Sequence, residues 1–228
     1  AFRYEGSGKH HNPEFTMLEW YRLGFDHHEL MQEISDLLVM VLDCEKPILM
    51  TYQEAFLSTI AIDPLSATNK ELKAFIERNG ALDKWLSEEK NKDTLLQFIF
   101  SSYVENAIGV DAPAIVYEFP SSQASLAKIS ASDARVSERF EVYYKGLELA
   151  NGFNELTDAS EQVLRFSNDN VERTRLGLKE KPIDQRFISA LEDGLPDCAG
   201  VALGVDRLIM IALEKESIDE VLTFAIDH

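Results

Sequence analysis

The sequence predicts an α+β fold: an antiparallel sheet that carries the site, helices packed behind it, and a helical insertion at about 52–110, all within one domain over 1–228. Three observations lead there. Two pairs of β-prone runs, 1–5 with 14–25 and 139–144 with 147–156, are joined by turn formers (Gly6, Ser7, Gly8, Asn12 and Pro13 in one case, Lys145-Gly146 in the other), so both read as hairpins. Apolar residues at helical spacing follow the first hairpin. From 51 to 108 only helical patterns occur, at 52–60, 69–79 (closed by Gly80) and 91–107.

Taking the elements in order, strand alternation sends Phe15, Met17, Glu19 and Tyr21 to one face, and puts Arg3 and Glu5 together on the first strand. A face with that many charges is a site rather than a core, because buried charge is costly unless it is paired. Asp26 and Glu29 predict a capping box for a helix over 27–42, whose apolar stripe is Leu30, Ile34, Leu37, Leu38 and Val41. A β run at 114–119 ends at Pro120. In the second hairpin the two-residue turn sets Tyr143 opposite Glu148, so Glu141, Tyr143 and Glu148 share a face and two carboxylates converge. Helices are predicted at 158–176, closed by Gly177, and at 184–192, closed by Gly194. Last, a small-residue strand from Gly200 runs into a helix capped by Asp206. Arg207 then falls in the first helical turn, where free N–H groups and the helix dipole favour phosphate.

Composition narrows the function. With 22 Lys and Arg against 40 Asp and Glu, the net charge is −18 and no basic run exists, so a large tRNA-binding surface is not expected within this chain. Cys44 and Cys198 have neither zinc-ligand nor disulfide-framework spacing and read as reduced packing thiols. No apolar run approaches the ~20 residues of a membrane span, and a cytoplasmic protein is expected.

The order Phe-Arg3-x-Glu5, loop, His11-x-x-x-Phe15 resembles motif 2 of the class II aminoacyl-tRNA synthetases, and the continuation HNPEFTMLEWY resembles their lysyl branch. The run from Gly200 to Arg207 is similar to motif 3 of the same family. The resemblance covers essentially the whole chain and implies attack of an amino-acid carboxylate on the α-phosphorus of ATP. It also implies roles. Arg3 and Arg207 act in catalysis on the α- and γ-phosphates, while Glu5, His11, Asn12, Phe15, Glu148, Leu149 and Gly204 line the nucleotide pocket with them. Glu141 and Glu148 hold magnesium. Glu155 and Tyr21 take the distal ammonium of lysine, Glu19 its other amine and Asn151 its carboxylate, with Phe153 lining the pocket. Two carboxylates and a phenol, buried, would suit a substrate with two ammonium groups. Plain alternation would put Asn151, Phe153 and Glu155 on the wrong face, so a bulge or kink is expected at 150–152.

Two sub-branches fit. One is the conventional lysyl-tRNA synthetases. The other is their shortened paralogues, which attach (R)-β-lysine to a lysine of elongation factor P. The runs SSQASLAKIS, RFEVYYKGLELANGF and GLPDCAGVALGVDRL favour the paralogues, as does Ala202, where lysyl-tRNA synthetases carry Gly. A methyl group there would crowd an α-amine and admit a β-amine. The negative charge also suits a protein acceptor better than tRNA. A non-catalytic synthetase-like module would be expected to have lost Arg3, Arg207 or the Glu141/Glu148 pair, and all four are present. Ala1 already lies in a β-prone run without a preceding Met, so an N-terminal truncation before motif 2 is expected, with motif 1 missing. Members of the family are homodimers, which is the expectation for the full-length protein.

Overall fold

A computed structural model describes residues 1–3 and 6–225. Six strands form one sheet: β1 (Met17–Leu23), β2 (Ile48–Thr51), β3 (Ala114–Tyr117), β4 (Arg139–Tyr144), β5 (Leu147–Asn154) and β6 (Cys198–Gly204), in the spatial order β1-β6-β5-β4-β3-β2. All neighbours are antiparallel except β2 and β3, which are parallel, so the sheet is mixed. The parallel strand β2 escapes sequence reading because ILMT is only four residues long and runs straight into a helix.

Eight helices surround the sheet among the described residues: α1 (His27–Leu42), α2 (Tyr52–Ile60), α3 (Asn69–Arg78), α4 (Lys84–Glu88), α5 (Lys92–Ile99), α6 (Ala159–Arg175), α7 (Gln185–Gly194) and α8 (Val205–Ala212). The capping box of α1 is formed, with Asp26 Oδ1 accepting from Glu29 N at 2.9 Å and Glu29 Oε2 from Asp26 N at 3.0 Å. Its buried stripe includes Leu30, Met31, Ile34 and Leu38, whereas Val41 is exposed. The helix expected over 91–107 stops at Ile99 and continues as a π-helical turn, Phe100–Val104. Residues 1–3 and 13–15 run antiparallel as expected, but through an isolated Phe2–Glu14 bridge rather than a regular strand pair.

Helices cover both faces of the sheet. On one, α1 and α8 pack against Ile115, Phe140, Val142, Ala150, Val201 and Leu203. On the other, α2, α3, α4 and α5 build a second core around Tyr52, Phe56, Leu72 and Ile99, which reaches the sheet at Ala114, Val116 and Tyr143. That layer covers only the β2-β3-β4 end, and a cavity of about 310 Å³ opens over the β1-β6-β5 end of the same face.

The turn at Lys145 and Gly146, both left-handed (φ 52° and 72°), sets Tyr143 opposite Glu148. The register then slips: Val142 faces Ala150, leaving Leu149 as the extra residue of a β-bulge. The bulge thus sits at Leu149, just before the expected 150–152. It reverses parity as required, because Glu141 pairs with Asn151 and Tyr143 with Glu148, which places all four on one face.

Candidate functional site

The site face is fixed by strand register. Asn151 of β5 lies beside Ala202 of β6, which lies beside Glu19 of β1; one step along, Phe153, Gly200 and Tyr21 form the next row. The cavity is lined by Arg3, His11, Asn12, Phe15, Glu19, Glu148, Leu149, Asn151, Phe153, Ala202, Gly204 and Arg207. Glu141, Tyr21 and Glu155 are not among the lining residues, and Glu5 lies outside the described residues.

On the loop side of the cavity, the Arg3 guanidinium lies 5.3 Å from the centroid of the Phe15 ring, and the His11 ring stands 6.1 Å from the same centroid. Asn12 is buried and donates Nδ2 to the Glu14 carbonyl at 2.6 Å, bracing the loop between Arg3 and Phe15. Arg207 occupies the first turn of α8, with Nη1 donating to the Glu148 carbonyl at 2.7 Å and Nε to the His10 carbonyl at 3.3 Å. The expected cap is corrected here. Gly204, not Asp206, is the N-cap of α8, and Asp206 is buried inside the helix, where its Oδ2 accepts from Thr16 N at 2.7 Å. Its role is to lock the helix onto the entry of β1, an arrangement that a capping pattern in one segment does not reveal.

The acidic pair sits deeper. Glu141 is buried between Arg139 Nη2 and Tyr143 Oη, each donating to one of its oxygens. Burial, and then the neighbouring Glu141, push the Glu148 carboxyl well up, with Arg207 and Arg139 pulling the other way. Glu105, just past the π-helical turn, is also raised, by burial and then by Glu141. Hard oxygen donors in this number fit magnesium, which takes few protein ligands and fills the rest from water and phosphate. No group of three or more His, Cys, Asp or Glu is arranged to hold a metal among the described residues.

Of the two carboxylates expected to hold the amino acid, only one is buried. Glu155 is 9 % exposed, and burial raises its carboxyl to about 7. Glu19 is exposed at the cavity wall, and Tyr21 on the edge strand is 61 % exposed. The Tyr21 hydroxyl is nevertheless raised by partial burial, then by Glu155 and Glu19. Gly200 makes this corner possible, since a methyl group on it would collide with Glu155 Oε1 and the Tyr21 ring. The residue that sequence reasoning missed is Arg139. It shares a strand face with Glu141 two residues on, so alternation alone could have placed it in the site.

A mixed sheet flanked by helices, with Arg3, Arg207 and Glu148 lining a cavity on one face, agrees with the class II synthetase fold that the motifs resemble. The family model of class II tRNA synthetases (D, K and N) matches residues 1–228, and the chain belongs to that family. It is 58 % identical over 225 residues to the elongation factor P–(R)-β-lysine ligase of Vibrio parahaemolyticus, covering 98 % of this chain and 69 % of that protein. The proteins of the same name from Photobacterium profundum and Proteus mirabilis are 55 % and 57 % identical, over 100 % and 99 % of this chain and 70 % and 69 % of theirs. No helix among the described residues is long and apolar enough to cross a membrane.

Proposed function

We propose that the chain activates (R)-β-lysine, or lysine, with ATP as an aminoacyl-adenylate and transfers the acyl group to a lysine side chain of elongation factor P. The observation that carries this reading is the Leu149 bulge. It brings Glu148 and Asn151 onto one sheet face beside Arg207 and Ala202, which supports reading them as parts of one site. The names of the relatives support the acceptor, and the net charge of −18 agrees with a protein acceptor rather than a polyanion.

In the first step a carboxylate oxygen of the amino acid attacks the α-phosphorus, and the bond to the pyrophosphate oxygen breaks. The nucleophile is already ionised, so the chain needs no catalytic base. Its contribution is positioning and charge neutralisation. Arg3 meets the α-phosphate and Arg207 the γ-phosphate by guanidinium forks. Phe15 stacks on the adenine. Glu141 and Glu148 would hold magnesium, which supplies charge neutralisation on the phosphates. Glu155 and Tyr21 take the distal ammonium, Glu19 the nearer amine and Asn151 the carboxylate. In the second step the neutral amine of the acceptor lysine attacks the acyl carbon, AMP leaves with the bonding electrons, and the new amide nitrogen loses a proton. We place the protein as a homodimer, with 52–110 as an insertion in a single catalytic domain.

The test is the intact mass of elongation factor P after incubation with the protein, ATP, magnesium and (R)-β-lysine, with L-lysine and lysine tRNA in a parallel reaction. A gain of one lysyl mass on the factor is expected. An unmodified factor beside charged tRNA would identify a conventional lysyl-tRNA synthetase instead.

A further inference from the structure

Arg139 has no role in the scheme above, yet it stands where the metal and amino-acid ends of the site meet. Its guanidinium uses three nitrogens on three groups: Nε on Asn151 Oδ1 at 3.2 Å, Nη1 on the Gln123 carbonyl at 2.7 Å, and Nη2 on Glu141. Two aromatic rings lie close to it, its central carbon standing 4.7 Å from the Phe119 centroid and 5.9 Å from that of Phe153. Its side chain is 16 % exposed, so this geometry is held by packing and not by a solvated tether. Gln123 is itself fixed, since its Nε2 donates to Asp93 Oδ1 at 3.1 Å in the first turn of α5.

A guanidinium only donates, so the Asn151 atom facing it must be the amide oxygen. The amide NH₂ is then turned away from Arg139, and Asn151 lines the cavity. Were the amide flipped, its oxygen would face any carboxylate bound there, acceptor against acceptor.

We propose that Arg139 is a positioning residue: it holds Asn151 with its N–H donors aimed at the substrate carboxylate, and by gripping Glu141 with the same guanidinium it ties the amino-acid end of the site to the magnesium end. This rests on the reading of Asn151 as the carboxylate partner. Arg139 meets no substrate atom; it acts through two residues that do. The function is specific to one pole of the substrate, which separates it from a general contribution to folding.

The experiment compares two ligands by calorimetry and thermal shift: (R)-β-lysine, and 1,4-diaminopentane, the same diamine without the carboxylate. Arg139→Met is expected to weaken (R)-β-lysine by roughly tenfold or more, the scale of a hydrogen bond to a charged group, while leaving the diamine within about twofold. Arg139→Lys, which keeps the cation and ring contacts but loses the fork, is expected to show the same selectivity and serves if Arg139→Met does not fold. In an Asn151→Ala background, Arg139→Met should add no further selective loss. Equal loss of both ligands would overturn the inference and leave Arg139 a structural residue. Selective loss that persists in the Asn151→Ala background would also overturn it, since Arg139 would then meet the carboxylate directly. If neither ligand binds the unaltered protein, what falls is the lysyl-ligase reading itself.

Discussion

Glu155 offers the sharpest test of the proposed amino-acid pocket, because its environment makes two opposite demands. Its carboxyl is raised from the ordinary 4.5 to about 7 by burial alone, with no cation offsetting it. The folded-state value lies above the unfolded one, so the folded protein binds the extra proton between them. The group therefore favours folding below about pH 4.5, and that contribution is lost as pH rises towards about 7. A shift of that size corresponds to about 3 kcal/mol at most, since each tenfold is worth ~1.4 kcal/mol. Glu155→Gln removes the ionisation and should raise the ligand-free stability at pH 8 by up to ~3 kcal/mol, roughly 6–12 °C in Tm for a chain of this size. At pH 4.5 the two proteins should be alike. A substrate ammonium supplies the missing cation, so the same variant should bind 1,4-diaminopentane and (R)-β-lysine about 10- to 100-fold more weakly. Melting curves from pH 4.5 to 8, with and without diamine, read both effects. Parallel pH curves for wild type and variant would refute the claim that Glu155 is a buried carboxylate awaiting a cation.

Other substitutions probe separate parts of the site. Gly200→Ala drives a methyl group into Glu155 Oε1 and the Tyr21 ring, and should abolish diamine-induced stabilisation in thermal shift while ATP-induced stabilisation survives. Arg207→Ala should lower the rate of pyrophosphate–ATP exchange by roughly 10²–10³-fold, the scale for removing a preorganised donor from developing phosphate charge. Ala202→Gly frees the space beside Glu19 and Asn151 and should shift preference towards lysine over (R)-β-lysine, by the ~1–3 kcal/mol of a single methyl group, measured as competing kcat/KM values. Asp26→Ala breaks the capping box of α1 and should cost about 1 kcal/mol in urea unfolding with no change in ligand affinity.

Local chemistry carried most of the fold. The span of α1, the Lys145-Gly146 turn and the closure of α6 by left-handed Gly177 each depend on a few adjacent residues, so their signals are in plain sight. What the sequence hid depends on long-range partners. The direction of β2 is decided by β3, some sixty residues on, and Asp206 looks like a cap until Thr16 N is seen to occupy it. The exposure of Glu19 and Tyr21 follows from β1 being an edge strand, which the order of hairpins along the chain cannot reveal. Arg139 was legible by alternation, but a lone arginine beside a glutamate is so often a surface ion pair that only its three separate partners mark it out.

If Glu155 and Glu19 hold the two amines as proposed, their unequal burial bears on how the site would tell its substrates apart. An exposed carboxylate at Glu19 is already hydrated, so a nearby amine displaces water for little net gain, and misplacing that amine by one carbon costs little. The buried Glu155 has no such alternative, and a ligand without a distal ammonium leaves it either protonated or uncompensated. On the proposed lysyl-ligase reading, recognition of a long basic side chain should therefore be strong, with the choice between an α- and a β-amine resting on weaker forces: the space left by the Ala202 methyl and the aim of the Asn151 amide. On this account the distal pole sets affinity, and the proximal pole decides which of two isomers presents its carboxylate to the α-phosphorus. Changes that loosen Asn151 should then erode isomer choice and turnover together while sparing diamine binding, a pattern that a pocket with two equally buried carboxylates would not produce.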